Sequence, residues 1–136
     1  MFKLEDKLSK NQARQLSPIT LAFIGDAVYT LYVREKIVFF KDLKGADLNK
    51  KTSMQVKATS QSKFIDKIMP LLTEEEIDIF KRARNSKKNT RAKSASVVEY
   101  NKSTGFEALV GYLYVIGDIE RLDFLLNCGE NNEDNR

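Results

Sequence analysis

Apolar residues recur along most of this chain at helical rather than strand spacing, and the pattern predicts an all-α protein. Two segments depart from the amphipathic rule. Residues 18–33 and 104–116 are apolar on nearly every face, and each holds one charge, Asp26 in the first and Glu107 in the second. A helix that is apolar all round is normally buried. An ionised carboxylate in such surroundings needs a cation or hydrogen bonds to offset its desolvation. Two of them, in a chain without histidine, point to a hard divalent cation such as Mg²⁺.

The other predicted elements are ordinary amphipathic helices. Ser17 as N-cap and Pro18 at the first helical position start the first long helix, expected to run to about residue 36. Val38, Phe39 and Phe40 then lead into a loop around Gly45. A helix over about 47–59 carries Leu48, Met54, Val56 and Ala58 among lysines. Another over about 62–72 places Phe64, Ile65, Ile68 and Leu72 on one face, with Pro70 ending or kinking it. Thr73 and Glu76 form a capping box for a helix reaching about residue 84 and burying Ile77 and Phe80. A short element near 97–100, a helix over 103–116, a break at Gly117-Asp118 and a last helix over 119–127 complete the bundle. Residues 1–128 read as one domain, and residues 129–136 as a disordered acidic tail.

The 136 residues suffice for a single domain with a real core. The formal charge of +4 is unevenly spread: residues 81–93 hold seven basic residues and no acid, and the remainder is net acidic. Such a stretch suits an anionic partner. The lone Cys128 excludes an internal disulfide and favours a reducing compartment. The absence of histidine removes the Ser-His and Cys-His mechanisms and nearly all zinc sites. The charged start of the chain resembles no secretory signal, residues 19–33 are too short for a membrane span, and a cytoplasmic location is expected.

Gly25 and Gly111 lie inside the two apolar helices, where each costs about 1 kcal/mol relative to alanine. Glycine there usually lets another backbone come close. The two helices are therefore expected to pack face to face at these glycines and to bring Asp26 and Glu107 within reach of one cation. Each acid also has a plainer reading. Thr104-Gly-Phe-Glu107 satisfies a capping box, so Glu107 could serve only as a cap. Asp26 lies too deep in its helix for that, and its plainer role is an ion pair with a lysine or arginine.

Phe23-Ile-Gly-Asp-Ala-Val28 resembles the signature helix of the ribonuclease III catalytic domain, and Phe106-Glu-Ala-Leu-Val-Gly111 resembles that family's second acidic motif. The lack of a double-stranded-RNA-binding domain and the wording Ser103-Thr-Gly-Phe-Glu-Ala-Leu109 look most like the short branch, Mini-ribonuclease III. The resemblance spans about residues 17–127. It implies a dimeric ribonuclease III-like bundle and a Mg²⁺-dependent endoribonuclease cutting double-stranded RNA to leave 5′-phosphate ends, with Asp26 and Glu107 as catalytic metal ligands. It further implies maturation of the 23S ribosomal RNA precursor, with a large-subunit ribosomal protein as a candidate partner. Larger relatives carry two more acids, at the positions of Ala22 and Thr104 here. A second metal would draw on water, substrate or another acid such as Glu99 or Asp118.

Duplex RNA is gripped through phosphates and 2′-hydroxyls. Arg82, Arg84, Lys87, Lys88, Arg91 and Lys93 suit phosphate, and Asn85 with Ser86, Asn89 and Thr90 suits hydroxyls. Lys50, Lys51 and Lys57 fit a merely solvated face better. The apolar faces of the Asp26 helix offer one side to the core and another to a second copy, consistent with a homodimer. The loss of two acids motivates the alternative of a non-catalytic RNA-binding or ribosome-associated protein on the same fold.

Overall fold

The computed structural model describes residues 6–40, 42–86 and 95–134, with side chains described as far as residue 130. Its elements are α1 (Lys10–Gln15), α2 (Pro18–Phe40), α3 (Gly45–Val56), α4 (Ala58–Ile68), a 3₁₀ turn (Met69–Leu71), α5 (Glu74–Arg84), α6 (Val97–Val115) and α7 (Ile119–Asp134). No strand occurs among the described residues. No helix among them is long and apolar enough to cross a membrane.

The core is built on α2 and α6. Leu21, Val28, Tyr29 and Val33 of α2 meet Phe106, Leu109, Val110 and Leu113 of α6, all of them buried. Tyr29 packs edge-on against Phe106, with ring centroids 4.9 Å apart, and against Phe64 of α4 at 5.8 Å. α5 lies on another side of α6, where Phe80 covers Gly105. Arg121 of α7 ties that helix to α5 through two 2.8 Å bonds to the Glu76 carboxylate.

Several boundaries follow local chemistry as expected. Ser17 Oγ accepts from the Thr20 amide at 3.1 Å and caps α2. Thr73 and Glu76 form the capping box of α5. Pro70 falls in the 3₁₀ turn just past α4, where its missing N–H does least harm.

Four boundaries differ. α2 runs on to Phe40, four residues past the expected end, and leaves Val38, Phe39 and Phe40 on its surface. The helices expected over 47–59 and 62–72 instead meet at Lys57, whose extended backbone divides α3 from α4. α6 is one helix from Val97, started by a capping box of Ser96 and Glu99, so no break separates residues 100 and 103. α7 continues to Asp134, and residues 129–134, expected in a disordered tail, are helical. Gly129 explains the extension: a Cβ there would lie 2.2 Å from the Phe64 ring, so this part of α7 packs directly on α4.

Candidate active site

α2 and α6 touch backbone to backbone. A Cβ built on Gly25 would lie 1.7 Å from the Glu107 carbonyl oxygen, and one on Gly111 would lie 2.0 Å from that of Leu21. Any side chain at either position would force the helices apart. The residue after Gly25 is Asp26, and this contact sets its carboxylate against that of Glu107, with a hydrogen bond between the two.

The two acids sit in different surroundings. Glu107 is half-buried, whereas Asp26 is exposed. The expectation that Asp26 would be buried with its helix is therefore corrected. α2 turns Leu21, Ala22, Gly25, Val28 and Tyr29 to the core, and leaves Ile19, Phe23, Asp26 and Ala27 facing outward. Phe23 is 80% exposed, an unusual position for a phenylalanine in a single chain. Burial, the adjacent Asp26 charge and the shared hydrogen bond push Glu107 up to about 8, and only a hydrogen bond from Gln61 opposes them.

Neither plainer role survives. Glu107 stands ten residues inside α6, and Thr104 Oγ1 donates back to the Tyr100 carbonyl at 3.1 Å instead of capping anything. No lysine or arginine among the described residues pairs with Asp26 or Glu107. Glu99 and Asp118 are engaged as caps: Glu99 Oε1 accepts from the Ser96 amide and Asp118 Oδ1 from the Arg121 amide, each at 3.2 Å. No cluster of three or more potential ligand side chains occurs among the described residues.

One neighbour escaped the sequence reading. Gln61 of α4 is 1% exposed, and its Nε2 donates to Glu107 Oε2 at 3.3 Å and to the Val56 carbonyl at 2.8 Å. A signal was present: Gln61 stands at the core position of α4 four residues before Ile65, where a polar side chain needs a buried partner.

Of the predicted RNA contacts, Lys87, Lys88, Arg91 and Lys93 lie outside the described residues, as do Asn89 and Thr90. Arg82, Arg84 and Asn85 end α5. Arg82 is exposed and donates to the Arg14 carbonyl at 3.5 Å. The Arg84 guanidinium stacks over Phe80 at 5.6 Å and donates to Asn85 Oδ1 at 3.0 Å. Phe80 meets α6 at Gly105, roughly 200° around that helix from Glu107. These three residues are thus not part of the acid pair's immediate surroundings. Lys51, read as solvated, lines a cleft of about 910 Å³ with Lys36, Lys63 and Lys67.

The comparisons with known proteins agree with this geometry. Residues 19–118 match the family model described as the Ribonuclease III domain. The chain belongs to the ribonuclease III family. It is an endoribonuclease by that membership. Among its curated relatives is a Mini-ribonuclease 3 of Thermoanaerobacter sp. (strain X514), 50% identical over 88% of this chain and 84% of the relative. Another is the Mini-ribonuclease 3 of Clostridium tetani, 45% identical over 92% of this chain and 83% of the relative. An X-ray structure of a protein from Fusobacterium nucleatum superposes with a TM-score of 0.78 at 37% identity, covering 84% of this chain and 93% of that one. Ala22 and Thr104 offer no carboxylate, so the acids at the α2–α6 contact are Asp26 and Glu107.

Proposed function

We propose that the protein is a Mg²⁺-dependent endoribonuclease that cuts double-stranded RNA at Asp26 and Glu107, acts as a homodimer in the cytoplasm and trims the 23S ribosomal RNA precursor. The observation that carries the reading is the convergence of two carboxylates from separate helices with no cationic side chain among the described residues paired with either. Two like charges in contact are unfavourable until a proton or a metal ion sits between them.

The donor set fits magnesium. Both ligands are hard carboxylate oxygens, and Mg²⁺ commonly takes one or two carboxylates and completes its shell with water and phosphate. When bound, the ion supplies Lewis acidity that lowers the pKa of water and neutralises charge on a phosphodiester. The rest belongs to the chain. Asp26, on the outward face of α2, presents its carboxylate where a duplex backbone approaches. Glu107 lies half-buried behind it. The α2–α6 contact at Gly25 and Gly111 makes the spacing of the two acids rigid.

Ile19, Phe23 and Ala27 form an outward apolar stripe at four-residue spacing on α2, extended by Val38. That stripe supports pairing of two copies through α2, next to Asp26, with one site in each subunit for each strand of a duplex. The basic residues from Arg82 to Lys93 support the hold on RNA. The ribosomal substrate rests on the resemblance of the two acid-bearing motifs to the short branch of the family. A large-subunit ribosomal protein remains a candidate partner. The non-catalytic alternative rests on the missing acids at Ala22 and Thr104.

One experiment decides between the two readings: purified protein is incubated with duplex RNA in Mg²⁺ or in chelator, beside Asp26→Asn and Glu107→Gln. The wild type should cut only with metal, leaving 5′-phosphate ends. Either variant should lose cleavage by at least ~10²-fold while keeping its helix content and RNA binding. A variant that cuts at the wild-type rate removes its residue from the role.

A further inference from the structure

The proposed chemistry uses both acids but not the glutamine beside them. Gln61 lies on the apolar face of α4 in register with Ile65 and Ile68, at 1% exposure. Its amide has one workable orientation. Nε2 faces two acceptors, the Val56 carbonyl at 2.8 Å and Glu107 Oε2 at 3.3 Å. Turned over, the amide would set its oxygen against a carbonyl and a carboxylate. Oε1 is the end left over, buried and without a donor among the described residues. A hydrocarbon side chain of the same length would fill this space without burying the amide oxygen, but would serve neither acceptor. Apolar packing therefore does not call for glutamine at this position; the Val56 carbonyl at the end of α3 and the Glu107 carboxylate do, and only the second belongs to the site.

Resting on the reading of Asp26 and Glu107 as metal ligands, we propose that Gln61 is a positioning residue for the metal site, holding the Glu107 carboxylate toward Asp26 through Nε2. It touches neither substrate nor reacting atoms. Partners of ligating groups act by fixing a ligand's orientation, and their removal typically costs 10–100-fold in metal affinity. Without the Gln61 donor, Glu107 samples other rotamers, and each bound ion must first select the productive one.

The test uses Mn²⁺ as a spectroscopic probe on the full chain, free of RNA, with Gln61→Met and, should methionine disturb the fold, Gln61→Leu. Mn²⁺ binding is measured by electron paramagnetic resonance, melting in chelator is followed by circular dichroism, and cleavage is titrated with metal. The expected result is Mn²⁺ affinity about 10-fold weaker, half-maximal cleavage shifted to higher metal by a similar factor, and recovery of cleavage with added metal. A purely structural role would instead lower the melting temperature in chelator and leave cleavage unrestored by metal, and that outcome overturns the proposal. Mn²⁺ binding that is lost in Asp26→Asn but unchanged in a folded Gln61 variant overturns it alone. A wild type that binds no Mn²⁺, or an Asp26→Asn protein that binds it normally, removes the metal reading and this inference together.

Discussion

Gly25 and Glu107 meet so closely that a Cβ on the glycine would fall 1.7 Å from the Glu107 carbonyl oxygen. The neighbour is helix backbone and cannot swing away. Gly25→Ala must therefore push α2 from α6, at a cost of about 1–3 kcal/mol. A melting temperature lower by roughly 3–10 °C is expected. Cleavage should fall further than stability does, because the same movement parts Asp26 from Glu107. Gly45→Ala is the control: nothing lies within 4 Å of the added carbon, so melting should equal or slightly exceed that of the wild type and cleavage should be unchanged.

The raised Glu107 pKa predicts how metal-free stability depends on pH. Between its ordinary 4.5 and about 8, the folded protein keeps a proton that the unfolded chain has released. The folded state binds more protons in that window, so stability is greatest below the lower value and declines as pH climbs toward the upper one. Melting in chelator should fall steadily from pH 5 to pH 8. Mg²⁺ should restore it most at pH 8, the end of that range where the proton competes least with the ion. The chain has no histidine to titrate in the same range. Glu107→Gln should flatten the slope; a slope that persists in this variant assigns it to some other group.

The exposed Phe23 ring should matter to assembly rather than to the fold of one subunit. Phe23→Asp adds charge to the centre of the apolar stripe on α2. Sedimentation at micromolar concentration should then report a monomer in place of a dimer, with helix content unchanged. Cleavage should weaken as well, since Phe23 lies one helical turn from Asp26 on the outward side of α2.

RNA binding should be strongly salt-dependent. A grip that uses six or more phosphates loses roughly 10³-fold in affinity between 50 and 200 mM salt. Paired replacement of Lys87 and Lys88 should reduce the slope of log affinity against log salt by about 2. A flat slope for the wild type, measured by filter binding in Ca²⁺ to suppress cleavage, would remove the basic stretch as the main hold.

Much of the site could be read from the chain because its determinants are local. A glycine in each of two apolar helices, each within a few residues of a lone acid, implies both a close crossing and what stands beside it. Capping at Ser17 and Thr73 is equally local, set by hydrogen bonds spanning three residues. Local patterns also misled. Thr104 and Glu107 have capping-box spacing, but a box works only where a helix begins, and α6 begins at Ser96. The chain past residue 127 looks polar enough for a tail, yet Gly129 finds the Phe64 ring 65 positions earlier and the helix continues.

Hydrophobic periodicity determined that the protein is helical, and the two acid-bearing motifs pointed to its family, since both depend on neighbours within a turn or two. Only the tertiary structure decided that Asp26 is exposed while Glu107 is half-buried, and that Gln61 attends the pair. Sequence pattern reports that a helix face is apolar, not what covers it; α2 covers one face with α6 and leaves Phe23 outside. The Gln61 contact joins residues 46 positions apart, and such a pairing exists only once helices have packed.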